Sequence, residues 1–354
     1  MIRMDNTTFR ILDILSRDLD SPISINRLTK KIKESHGTAY YKNIYDKIQD
    51  LKEQNILNIT EIGKASVITL NFNNYQLTDI LAEMELKKKQ EFLEKNIEMQ
   101  TIFIEIDKEL RSAFPSIESI LMIDPEKNLK LNRIELLFLL ANFDEEQTIW
   151  SIHSIMEKLQ SKYNMKFDCL TLTEKEFLDL LKSEDDNPLK EMLSNRIALS
   201  SPRDDFWIWI KTALTKGIRI KTEEGTSPTK MSDQDLSYNL NRFGYKEFGQ
   251  KIEQGRKICI EYIITSILLQ EDARRTQAIP ILLTKNKINY NLLIFLCKKY
   301  KKAGELLGLI RILNKIKESD ETNNAIRILE TMKVKEIKMN EKSIAEKMRL
   351  YDAV

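Results

Sequence analysis

Residues 118–140 read ESILMIDPEKNLKLNRIELLFLL. Two apolar runs, a strand expected at 117–123 and another at 134–141, flank a polar segment that opens on Asp124-Pro125. The pattern alternates downstream. A helix is expected at 145–162, a strand at 166–172 and a helix at 174–183. NPLKEMLSNRIALSS and a helix containing DDFWIWIKTAL follow. Alternation of this kind indicates a small α/β domain of roughly 100 residues. The stretch 221–235, KTEEGTSPTKMSDQD, is polar and turn-rich and reads as a linker. Residues 236–354 read as helix after helix.

Upstream, TTFRILDILSRDL (7–19) is apolar at Phe9, Leu12, Leu15 and Leu19, which is a helical spacing. Ser24 suits the N-cap of a second helix with the stripe Ile25, Leu28 and Ile32, closed by Gly37. A third helix, 38–54, carries Tyr41, Ile44, Ile48 and Leu51 on one face. ILNIT (56–60) and SVITLNF (66–72) then read as a hairpin about Gly63. Residues 77–112 contain no Gly or Pro and read as one long charged helix, a connector or a dimer helix.

Three helices and a hairpin, with Gln54-Asn55-Ile56-Leu57 after the Tyr-rich third helix, make residues 24–62 resemble archaeal and bacterial winged helix-turn-helix regulators. The resemblance implies that the third helix enters a DNA major groove and the hairpin touches the flanking backbone. With the apolar stripe inward, the outer face presents Thr38, Tyr40, Lys42, Asn43 and Lys47, and Lys64 stands at the hairpin tip. Thr38 is expected to cap the helix. Asn43 has the donor–acceptor pair that reads adenine.

Residues 117–214 resemble the small polymerase-β-type nucleotidyltransferase domain found in many archaeal proteins. That family places Gly-Ser after its first strand, Asp-x-Asp on the second and an Asp on the third. The carboxylates hold Mg²⁺ against a triphosphate. In this sequence Gly-Ser falls on Asp124-Pro125, Asp-x-Asp on Arg133-Ile134-Glu135 and the third Asp on Asp168. Asp124 is an anion where phosphate would lie, Pro125 lacks an N–H, and Arg133 is a cation at a ligand position. The resemblance therefore implies a fold retained and catalysis lost, with no metal or cofactor.

Composition agrees with a helix-rich α+β multidomain chain: 42% hydrophobic, 31% charged, only 9 Gly and 7 Pro in 354 residues. No apolar window is long enough for a membrane span. The N-terminal MIRMDNTTFR lacks the apolar core of a signal peptide. Cys169, Cys259 and Cys297 lie far apart in apolar runs and are expected as buried thiols in the cytoplasm. His36 and His153 are isolated, and no Cys/His set has zinc spacing. Net charge is +2, but residues 274–354 hold 18 Lys/Arg against 9 Asp/Glu. Trp207 and Trp209 read as core, Gly304 and Gly308 as helical. LLIFLCKKYKK (292–302) combines an apolar face with a basic cluster that reads as a solvated helix end or a phosphate contact.

The expected organisation is 1–75 winged helix, 76–112 connecting helix, 113–220 degenerate nucleotidyltransferase-like domain, 221–235 linker and 236–354 basic all-α domain. The expected function is double-stranded DNA binding, as a transcriptional regulator or antitoxin-like repressor. A homodimer is one assembly open to it. Two alternatives stand beside it: an active nucleotidyltransferase using Mg²⁺ and a nucleoside triphosphate, and a structural adaptor whose winged helix binds protein.

Overall fold

The polar segment between the two strands of the quoted stretch is itself helical, over Pro125–Lys130. The computed structural model describes all residues except 1–3, 20, 64, 114–115, 142–144, 201–205, 219, 221–225, 247–251 and 354. It is a mixed α+β structure, mostly helical. In chain order the first part runs α1 (Asn6–Arg17), β1 (Ile23–Ser24), α2 (Ile25–His36), α3 (Tyr41–Glu53), β2 (Leu57–Ile62) and β3 (Ala65–Leu70). Then come α4 (Leu77–Lys95), α5 (Ile97–Ala113), β4 (Ile117–Ile123), α6 (Pro125–Lys130), β5 (Arg133–Leu140), α7 (Glu145–Tyr163) and β6 (Lys166–Thr173). α8 (Glu174–Lys182), α9 (Pro188–Ser194), β7 (Arg196–Ser200), α10 (Trp207–Thr215) and α11 (Asp233–Arg242) follow. The rest is α12 (Ile260–Gln270), α13 (Ala273–Thr276), α14 (Ile279–Lys285), α15 (Tyr290–Lys299), α16 (Ala303–Ile316), α17 (Asp320–Thr331) and α18 (Glu341–Leu350). No helix among the described residues is long and apolar enough to cross a membrane.

Contacts divide the chain into two units, 1–125 with 177–182 and 189–223, and 126–176 with 183–188 and 224–354. In the first unit, Asp5 caps α1 by accepting from the Thr8 N–H at 2.8 Å, and Ser24 caps α2 by accepting from that of Arg27 at 3.3 Å. Gly37 ends α2 at φ 86°, in the region that favours glycine. β1, β3 and β2 form an antiparallel sheet in that order, with Ile62 paired to Ala65 across the turn at Gly63. Ile11, Leu12, Leu28, Ile32, Ile48 and Leu51 meet in the core beneath this sheet.

The helix expected over 77–112 is two helices. Asn96 breaks it: its side-chain amide donates to the Phe92 carbonyl at 2.8 Å, competing with the helix ladder. Phe92 and Phe103 stack across the bend with ring centroids 6.2 Å apart.

Antiparallel pairing of β4 with β7 brings Arg196 into the interior. Its guanidinium is fully buried, 3.1 Å from an equally buried Glu85 carboxylate, and lies 4.4 and 5.0 Å from the ring centres of Phe206 and Trp207. Nη1 also donates to the Ser16 carbonyl at 3.4 Å. Nearby on α1, the buried Asp13 gathers Arg17 at 2.6 Å, His36 at 3.1 Å and Lys88 at 3.3 Å. Burial drives the Asp13 carboxyl upward, but the His36 hydrogen bond and the Lys88 and Arg17 charges outweigh it and hold the group well below its usual range.

In the second unit β5 and β6 run parallel in register from Arg133↔Lys166 to Leu140↔Thr173, joined through α7 as a parallel pair requires. Leu136–Leu140 are all buried, a continuous apolar run of the kind covered on both faces. The described part of the expected linker is ordered structure. Thr226 donates to Asp186 at 2.7 Å, Pro228–Lys230 form a 3-10 turn, and Ser232 caps α11. Gly304 and Gly308 in α16 lie under the segment that follows α17. A Cβ on Gly304 would stand 2.6 Å from the Lys335 carbonyl oxygen, and one on Gly308 still closer to that of Ile337. The Ile337 N–H donates to the Gly304 carbonyl at 3.0 Å.

Candidate functional site

α3 buries Ile44, Ile48 and Leu51 and turns its first two turns outward. Tyr40 is 71% exposed, and Lys42 and Asn43 are exposed with no partner among the described residues. Three expectations change here. Tyr41 is outside the core, 48% exposed and stacked on Tyr45 with centroids 6.1 Å apart. The first helical turn projects past the packed layer, so the stripe ends at Ile44. Thr38 does not cap α3. Tyr40 holds the N-cap position without a side-chain bond, while the Thr38 carbonyl accepts from Arg10 at 3.0 Å. Lys47 is engaged with Asp5 at 2.9 Å and Asp50 at 3.7 Å. The Asp5 hydrogen bond is the main reason its ammonium is pushed above the usual lysine range. Lys64 lies outside the described residues. Ile62, beside the hairpin turn, is 60% exposed. α2 adds Arg27, Lys30 and Lys33 on its exposed face, against Glu34 alone.

The carboxylates singled out in the second unit do come together. Parallel register places Glu135 beside Asp168, and both are buried. Arg133 reaches both: Nη1 is 3.3 Å from Glu135, and Nε is 3.3 Å from Asp168. The second contact is an ion pair without an aligned hydrogen bond, since neither atom has a hydrogen-bond partner. Lys299 donates to the other Glu135 oxygen at 2.9 Å, and Lys298 to Glu157 at 2.7 Å. Burial raises the Asp168 carboxyl above its usual range, opposed by the Lys298 and Arg133 charges. The basic cluster at the end of α15 thus spends Lys298 and Lys299 on internal carboxylates. It is neither a solvated helix end nor a phosphate contact at those two positions. With both carboxylates committed to cations, the donor set does not suit a pair of divalent ions.

Asp124 follows β4 at φ 42°. Its carboxylate accepts from the Asn195 amide at 3.0 Å, and Pro125 is the first residue of α6. Proline fits there because the first helical N–H has no partner in the helix.

Isolated in the sequence, both histidines have partners in the fold. His36 joins Asp13, and His153 Nδ1 lies 3.3 Å from Cys169 Sγ. Burial pushes the imidazole down to about 3 and the thiol up to about 12, so the pair is neutral and inert as a nucleophile. Only the strand register shared by Glu135 and Asp168 could have been anticipated from the pattern. The pairings through Lys299, His153 and Glu85 join residues far apart in sequence and leave no periodic signal. Compared with protein-family models, curated proteins and solved structures, the chain matches none.

Proposed function

We propose that the chain binds double-stranded DNA through a winged helix formed by residues 1–75, as a transcriptional regulator or antitoxin-like repressor. On this reading α3 is the recognition helix. The nucleotidyltransferase-like part is a catalytically inactive scaffold or partner surface. The supporting observation is the outward face of α3, where Tyr40, Lys42, Asn43 and the stacked Tyr41–Tyr45 pair stand clear of the buried Ile44, Ile48 and Leu51. Lys and Tyr suit phosphate, Asn suits an adenine edge, and the basic face of α2 supplies further positive charge. Arg133 between Glu135 and Asp168 speaks against the enzyme alternative. The exposed Ile62 and the stacked tyrosines favour the adaptor as the second reading.

Titration of selected genomic fragments and a scrambled duplex tests this. Asn43→Ala should cost about 1–3 kcal/mol on the best fragment and little on the scrambled one. Lys64→Ala should weaken both alike. If neither substitution alters affinity, the regulator reading falls and the adaptor takes its place.

A further inference from the structure

The segment from Lys333 to Lys342 reads KVKEIKMNEK and runs from the turn after α17, across the glycine face of α16, into the first turn of α18. It holds four lysines and two glutamates. Both glutamates are consumed internally: Glu336 pairs with Arg311, and Glu341 with Lys315 at 2.8 Å. Arg311 also takes Glu330, at the end of α17, at 2.6 Å. Lys333, Lys335, Lys338 and Lys342 are all exposed, and none pairs with a described residue. The cations of α16 therefore strip the acidic charge from this strap and leave its lysines uncompensated. Its backbone is held down at Gly304 and Gly308 through Lys335 and Ile337. Lys333 closes the turn after α17 at φ 54°, and Lys335 and Lys338 follow on the segment held to α16.

We infer that this strap is a sequence-independent contact for the phosphate backbone of duplex DNA, separate from α3. The choice of duplex DNA as the polyanion rests on the function proposed above; the uncompensated charge does not. A row of point-charge lysines with no aromatic or bidentate group suits phosphates rather than base edges. Each phosphate neutralised releases condensed counterions, so the strap contributes mainly to the salt dependence of binding.

The test uses the full chain and a short duplex of random sequence, titrated across a salt series. Replacing all four lysines (Lys333→Gln, Lys335→Gln, Lys338→Gln and Lys342→Gln) should make the log–log salt slope shallower by about 3 to 4, at about 0.9 per lost phosphate contact. Affinity for specific and random duplexes should fall by the same factor, with the melting temperature kept because the side chains are exposed. Glu336→Gln, which removes one of the strap's two negative charges and leaves Arg311 paired with Glu330 alone, should tighten binding. An unchanged slope in the fourfold variant overturns the inference. So does wild-type chain that binds anionic phospholipid vesicles but not the duplex. If Asn43→Ala leaves specific affinity untouched while the slope difference persists, the α3 reading fails and the strap stands.

Discussion

Nδ1 of His153 lies 3.3 Å from Sγ of Cys169, and solvent reaches neither ring nor thiol. Folding takes the imidazole from its ordinary value of 6.5 to about 3. Between those values the unfolded chain holds one proton more than the folded chain, so stability rises with pH across the window and falls as pH drops through it. From pH 6.5 to 5, above most carboxylates, the expected loss approaches about 1.4 kcal/mol per unit. Denaturant unfolding at the two pH values should show this loss in the wild type and a flattened dependence in His153→Gln. A wild type equally stable at both would show that the imidazole is not buried and neutral.

Glu85 and Arg196 form an ion pair in which each side chain is wholly buried. Removing one partner strands the other charge. Glu85→Ala should therefore cost about 3–5 kcal/mol, while Glu85→Met with Arg196→Met should recover much of that loss. A double variant as unstable as the worse single one would contradict this. It would mean that the contacts of Arg196 with Ser16, Phe206 and Trp207 outweigh the ion pair.

Arg133 bears on both Glu135 and Asp168, so incubation with labelled nucleoside triphosphates and Mn²⁺ should give no transfer. Arg133→Ala should lower stability by about 3–5 kcal/mol, since it removes the ion pair of Asp168, leaving it only the more distant Lys298 and Lys299 charges, and leaves Glu135 with Lys299 alone. Label incorporation that disappears in Glu135→Ala and Asp168→Ala would falsify the inactive reading and restore the enzyme.

Gly308→Ala puts a methyl group into the carbonyl of Ile337. The helix itself gains from alanine, by up to about 1 kcal/mol. The clash must exceed that gain and lift the strap, for a net loss of about 1–3 kcal/mol. Thermal unfolding reads the sum. A stabilised Gly308→Ala protein would mean that the strap does not rest on α16.

Periodicity exposed much of the local structure. The stripe Ile25, Leu28 and Ile32, the cap at Ser24, the hairpin about Gly63 and the strands at 117 and 166 all emerge close to where spacing and turn residues put them. Two kinds of feature escaped. One is the local break without Gly or Pro: Asn96 ends α4 through its own side chain, and α6 forms inside a segment too short for a helical period to register. The other is long-range charge pairing. Lys299 looked like a solvent-facing helix end because lysine on an apolar helix usually is one. It turns inward to Glu135, 164 residues earlier, whose second buried oxygen lies beyond the reach of Arg133. Spacing alone puts Tyr41 in the core, and spacing does not reveal where a packed layer stops.

Arg196 also sets an order of events. Its bonds to Glu85 and Ser16 close loops of 111 and 180 residues. At about 5–20 residues per second, the ribosome delivers Arg196 on the order of ten seconds or more after Ser16. During that interval α1 and α4 exist without the cation that neutralises Glu85 and without the aromatic floor of Phe206 and Trp207. The N-terminal helices are thus made early and finished late. A nascent chain halted between residues 85 and 196 exposes an unfinished apolar surface, the kind of surface that holdase chaperones bind.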